Sequence, residues 1–309
     1  MTDQRQSNLV PSVIPFIVFT VIWGSTWIVI RDQLAIVPAT WSVAYRFTIA
    51  AAAMALVAIT RGESLRFDRR GLLAAAWIGL FQFSLNFNFV YLAEHYITSG
   101  LVATVFALLL IPNTMLAWAM LGQRPSNDFL WWSIPSIAGI LLLFAHELQE
   151  HPAQSSEIMI GIALTVLGVI AASIANVSQA REEVRAYPLF ALLAWAMAIG
   201  AAFNALIAFV LTGPPVFEMR AGYVAGLLYL ALAASALAFS LYFPVVRRIG
   251  PAKAAYSSVL VPLIAMSFST WLEGYRWTPL TIFGVFLALG GMVGALSTSR
   301  TKVTAPDAG

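Results

Sequence analysis

Ten runs of about 20 apolar residues, separated by short polar breaks, occupy almost the whole of this 309-residue chain. They fall near 11–30, 39–60, 71–91, 97–121, 128–146, 158–178, 188–211, 221–245, 251–272 and 277–297. An α-helix rises about 1.5 Å per residue, so about 20 residues match the hydrocarbon core of a bilayer. In lipid, backbone amides must bond within their own segment, which restricts isolated apolar runs to helices. Composition leaves no soluble alternative. Hydrophobic residues make up 60% of the chain and charged residues 10%, too few to cover a surface facing water. The expected fold class is an all-α polytopic membrane protein with ten transmembrane helices and the lipid bilayer as its partner. The run at 11–30 is too long for a signal-peptide core and no A-x-A pattern follows it, so it reads as a retained span.

Charge gives the expected orientation. With the N-terminus in the cytoplasm, thirteen of the seventeen Lys and Arg fall in inside loops and three in outside loops, and Arg46 lies within a span. That bias follows the positive-inside rule and places both termini in the cytoplasm. Adding or removing one span would scramble the alternation. The net charge is only +3 and the basic residues are dispersed, so no nucleic-acid partner is expected. The absence of cysteine removes disulfides, thiolate metal sites and thiol nucleophiles.

A shift of 150 positions superimposes Arg31 on Arg181, Pro38 on Pro188, Leu80 on Leu230 and Pro112 on Pro262, with Gln123 falling on Glu273. The chain thus reads as two halves, 1–150 and 151–309, of five spans each, the second with a short cytoplasmic tail. Five is odd, so tandem copies enter the membrane from opposite sides. The expectation is two inverted five-helix repeats around a central cavity, an arrangement suited to secondary transporters. Pro112 and Pro262 interrupt spans four and nine at matching places and are the expected kink or gating positions.

None of the fourteen acidic residues lies mid-span, which disfavours a carboxylate relay and leaves neutral polar and aromatic side chains to bind a solute. Span three is the most polar. At helical spacing Ser84, Asn88, Tyr91 and His95 share one sector, and Gln82 and Asn86 lie on another. One face is expected to line the cavity and the other to bond a neighbouring helix. Asn113 follows the first kink, and Tyr256, Ser257 and Ser258 precede the second. Asn176, Asn204 and Tyr242 are further polar residues within spans, and Trp23 can stack on a solute. Arg46, about 10 Å below the outer end of span two, either holds a substrate carboxylate or serves structure by pairing with Glu94 or capping carbonyls. The structural role is preferred, because its repeat counterpart is Ala196. Gly290 and Gly294 form a small-xxx-small pair, expected to pack within the chain or support a weak homodimer.

Trp23-Gly24-Ser25, Pro38, Arg46, the run from Asn86 through Tyr91 and Glu94 to Ser99-Gly100, Pro112 with Leu121-Gly122-Gln123, and Pro262 with Leu272-Glu273 resemble the pattern of EamA-type members of the drug/metabolite transporter superfamily. The resemblance covers nearly the whole chain, with YddG-type amino-acid exporters the first comparison, and it adds weight to Asn86. It implies a ten-helix exporter of amino acids, related metabolites or drugs in the bacterial inner membrane, with spans five and ten peripheral. Four-helix relatives couple drug to protons through a glutamate in span one, and this chain has no acid there. Enzyme motifs such as H-E-x-x-H and channel filters such as T-V-G-Y-G are missing from the sequence. His146, Glu147, Glu150 and His151 have the wrong spacing for a metal site and read as a solvated outer loop. No cofactor and no metal are expected. The expected function is alternating-access export, with a channel or a structural membrane protein as the alternative.

Overall fold

The computed structural model describes residues 10–242 and 257–298. The principal helical segments among them are α1 Val10–Gln33, α2 Ala39–Thr60, α3 Arg69–Ala93, α4 Ser99–Leu121, α5 Asn127–Glu150, α6 Ser155–Gln179, α7 Leu189–Thr212, α8 Ala221–Tyr242, α9 Ser257–Leu272 and α10 Pro279–Thr298. Eight of them are long and apolar enough to cross a membrane by themselves, and α9 and α10 contain shorter apolar stretches. Strands do not occur among the described residues. The chain is an all-α polytopic membrane protein.

Segment ends follow from local chemistry. Asp68 and Ser126 cap α3 and α5 through bonds from the backbone N–H of Gly71 and Phe129. Tyr187 also donates to Asp68, and the two bonds hold that carboxyl below its ordinary range. Pro38 and Pro188 precede α2 and α7 with nearly identical backbone angles. All four left-handed glycines of the described residues follow helix ends, Gly62 and Gly213 after α2 and α7, Gly122 and Gly274 after α4 and α9.

These paired ends reflect a wider correspondence between the halves. α3 and α8 each contain a π-helical stretch, Gly79–Leu85 and Tyr229–Leu237, whose first residues are 150 positions apart. The principal contacts between halves are also exchange-symmetric. α2 packs on α7, α4 on α9 and α5 on α10, while α1–α8 matches α6–α3, α1–α9 matches α6–α4, and α2–α8 matches α7–α3. Gly79 lets α3 approach α7, since a Cβ there would lie 2.5 Å from the carbonyl oxygen of Ala196.

Several expectations need correction. The helical wheel of span three assumed uniform turns, but the π stretch rotates Gln82 and Ser84 relative to the residues beyond it. Small residues of α10 do pack within the chain, yet the contact uses Gly284, Gly291 and Gly294 against Gly139, Ser136 and Trp132 of α5, and a Cβ added at Gly290 would meet no neighbouring helix within 4 Å. His146 and Glu147 belong to the last turns of α5 rather than to a loop, and His146 is buried. Tyr256 lies outside the described residues, and Ser258 is described only as helical backbone.

Candidate functional site

Arg46 is the largest polar side chain of the interior, 2% exposed, and it sits where α2 meets α3 and α8. Its Nε donates to Ser235 Oγ at 3.1 Å, and Nη1 reaches the Tyr91 hydroxyl at 3.5 Å. The guanidinium carbon lies 4.4 Å from the ring centroid of Phe87 and 5.3 Å from that of Phe47. Such rings stabilise a desolvated cation by about 2 kcal/mol each, which offsets part of the several kcal/mol lost with its water. Of the alternatives open to Arg46, pairing with Glu94 within 4.0 Å is not seen. Among the described residues, the carboxylates within 4.0 Å of a cation face Arg31, His151, Arg181 or Arg220, and none faces Arg46. Arg46 thus joins both halves, with Tyr91 on α3 and Ser235 on α8, while carrying a charge without a bonded counter-ion.

α3 is enclosed on both of the faces distinguished in the sequence: Gln82, Ser84, Asn86, Asn88 and Tyr91 are all buried. Asn88 Nδ2 donates to Asn204 Oδ1 on α7 at 2.7 Å, and Asn204 Nδ2 donates to the Phe83 carbonyl at 2.9 Å. Asn86 Nδ2 bonds back to the Gln82 carbonyl. The acceptors Gln82 Oε1, Asn86 Oδ1 and Asn88 Oδ1, with the hydroxyl of Ser84, are enclosed and have no hydrogen-bond partner within the protein. In a low-dielectric interior each such group costs about 1–3 kcal/mol until a donor reaches it. His95 is exposed beyond the helix end and does not join this group.

Trp23 is half-buried. Its Nε1 donates to the Ala234 carbonyl on α8, and its ring meets those of Phe19, Phe239 and Tyr242 at centroid distances of 5.0–5.5 Å. Phe239 touches Phe83, and Phe83 touches Phe47, so rings run from Tyr242 to the guanidinium of Arg46. Ser25 and Tyr229 hydroxyls lie 2.6 Å apart between α1 and α8. The structure therefore brings Trp23, Tyr91, Tyr242 and Arg46 into one chain of contacts. Asn113 on α4 and Asn176 on α6 are half-buried and bonded to none of these, and Ser257 is buried at the start of α9. Sequence reasoning missed Ser235 and Phe87; a serine in a helix carries no signal until its partner is known.

α4 is interrupted just before Pro112. Regular α-helix stops at Ala107 and resumes at Leu110, one turn before the ring, where a proline removes the N–H that would bond the residue four before it. Pro262 lies inside α9 without a break in the described helix. The first part of α4, Ser99–Ala107, is almost wholly buried, whereas Leu110–Leu121 has no buried residue.

At the Ser99 end of α4, Glu273 reaches across from α9. It accepts from the backbone N–H and hydroxyl of Ser99 and from the Ser269 hydroxyl, and it lies 3.8 Å from Arg31 of α1. Glu94, which directly follows α3, is 0% exposed, and neither of its oxygens has a hydrogen-bond partner. Arg31 of α1, Arg46 of α2 and Glu273 just beyond α9 lie within electrostatic reach of it.

The sequence matches the EamA-like transporter family over residues 11–145 and again over 159–297. It is 27% identical to the "Uncharacterized inner membrane transporter YedA" of Escherichia coli strain K12 over 297 residues, 94% of this chain and 91% of that protein. It is 23% identical to "Protein PagO" of Salmonella typhimurium over 285 residues, 89% of this chain and 91% of that protein. A solved crystal structure has the same fold, with a TM-score of 0.68 at 18% identity, covering 94% of this chain and 99% of that one.

Proposed function

Because this chain belongs to the EamA-like transporter family, we propose that it is an inner-membrane carrier exporting amino acids or related small carboxylate metabolites by alternating access. Arg46 carries the reading. A fully buried guanidinium facing no carboxylate within 4.0 Å is costly in an empty protein and becomes favourable when an anionic group arrives. It lies between helices of both halves, where a solute carboxylate can bias the packing of one half against the other. The enclosed acceptors of α3 supply bonds for the ammonium or hydroxyl groups of such a solute. The aromatic run from Tyr242 to Arg46 gives it an apolar wall.

Two further observations support alternating access. Repeat-related π stretches and an exchange-symmetric contact pattern suit two inverted five-helix units. The contrast between the buried outer part of α4 and its open inner part suits a carrier closed on its outer side. The test is counterflow in proteoliposomes holding only this protein, with a panel of amino acids and their decarboxylated amines. Saturable exchange of the carboxylates is expected, with Arg46→Gln lowering it about 30-fold, the equivalent of roughly 2 kcal/mol for truncating one side of a buried charge contact. Equal flux of acids and amines, or full activity in Arg46→Gln, would refute the reading. Flux that does not saturate would indicate a channel.

A further inference from the structure

Outside the Arg46 site, Glu94 stands out among the described residues as a buried carboxyl with no bonded partner in the protein. Glu94 has no exposed surface and no donor on either oxygen, although a carboxylate in such a place loses several kcal/mol of hydration. The groups within electrostatic reach are Glu273 at the end of α9, Arg31 at the end of α1, Arg46 on α2, and Tyr91 on its own helix. His95, the next residue, points to solvent. The two carboxyls belong to opposite halves and repel if both are ionised. Their environments differ sharply: Glu273 has three hydrogen-bond donor groups and a nearby arginine, and Glu94 has none bonded to it. Glu273 latches the end of α9 to the first turn of α4, and Glu94 lies within electrostatic reach of that latch.

We propose that Glu94 is a proton-binding site tied to the outer gate: it holds a proton while the seam of α1, α4 and α9 is closed and releases it when that seam opens to water. Closure forms one O–H bond on a Glu94 oxygen, with the proton taken from outer water. Opening hydrates the group, breaks that bond and returns the proton to the outer side. The linkage has a definite sign. Burial gives the closed state the higher proton affinity. Its extra stability is complete below the open-state value, near about 4.3 for a hydrated glutamate, and is lost as external pH rises through the closed-state value. Between the two, the closed-to-open ratio falls about tenfold per pH unit.

The chain has no cysteine, so a single introduced thiol reports the seam without background. Met266 is 1% exposed and meets Gly100 across the α4–α9 contact, which makes Met266→Cys the reporter. Ala153→Cys, in the exposed turn Pro152–Gln154, corrects for thiol ionisation and reports sidedness. Intact cells are treated with a membrane-impermeant maleimide at external pH from about 5 to 8. Corrected labelling of Met266→Cys is expected to rise with pH by up to about tenfold per unit. Adding Glu94→Gln should leave it slow and flat, and adding Glu94→Asp should preserve a pH-dependent rate. An unchanged profile in Glu94→Gln, a flat one in Glu94→Asp, or a pH dependence that only Glu273→Gln abolishes would overturn the proposal. So would Ala153→Cys refusing label from outside, because the seam would then face the other side. The readout needs no transported solute, so its result is independent of the solute assigned to Arg46.

Discussion

Asn88 shows how a residue's role turns on its partner. Its place on a polar stripe of span three marks it as important, and a helical wheel cannot say whether it meets solute or protein. In the structure its amide bonds Asn204, 116 residues away, and Asn204 bonds the backbone of α3 in return. That exchange ties α3 to α7 beside the π stretch, where backbone carbonyls deviate from the α pattern and need donors. Asn88→Leu and Asn204→Leu are each expected to cost about 1–2 kcal/mol, since each strands a buried partner. The double variant should cost less than the sum, because the second change removes the stranded group. Thermal unfolding in detergent of the four proteins checks this, and additive losses would dissolve the pair. Arg46 and Glu94 carry the same lesson with charge added. Both residues stand in the sequence as plainly as any, yet their burial and their separation from each other are tertiary facts.

Among the elements, glycine placement separates close packing from open surface. Gly79 sits against the backbone of α7, and a Cβ added at Gly290 on α10 would meet no neighbouring helix within 4 Å. Gly79→Ala should therefore push α3 off α7 at a cost of about 1–3 kcal/mol. Gly290→Ala should be neutral or slightly stabilising, since alanine favours helix over glycine by about 1 kcal/mol. Melting temperatures of the two variants decide it, and equal responses would contradict the packing described. The pair had the opposite weights in the sequence, where Gly290 belongs to a familiar spacing motif and Gly79 to none. Segment boundaries were far more legible. The runs at 39–60 and 188–211 correspond to α2 at Ala39–Thr60 and α7 at Leu189–Thr212, each entered after a proline. Length against bilayer thickness and proline before a helix are local rules, and local rules survive folding.

At the scale of the whole molecule, the duplication predicts opposite sidedness for repeat-related loops. Ser64, just beyond Gly62, and Pro215, just beyond Gly213, are both exposed and occupy equivalent places in the two halves. Pro215→Cys should react with an impermeant maleimide in intact cells, and Ser64→Cys only after permeabilisation. Labelling of both from one side would end the inverted arrangement and, with it, the case for alternating access by exchange of halves. The paired α5–α10 contact stands apart from the helices that carry Arg46, Asn88 and Trp23.

The sequence by itself determined the class of the protein, the limits of most membrane segments and the family. Each follows from composition, run length or short motifs, which a chain carries whatever its neighbours. Only the tertiary structure decided which polar residues serve packing, which charge lacks a bonded counter-ion and which carboxyl is shut away from water. The bonds that settle these matters join α2 to α8, α3 to α7 and α4 to α9 across more than one hundred residues. Burial and pairing are properties of what arrives from the other half, and one segment read alone holds no record of it.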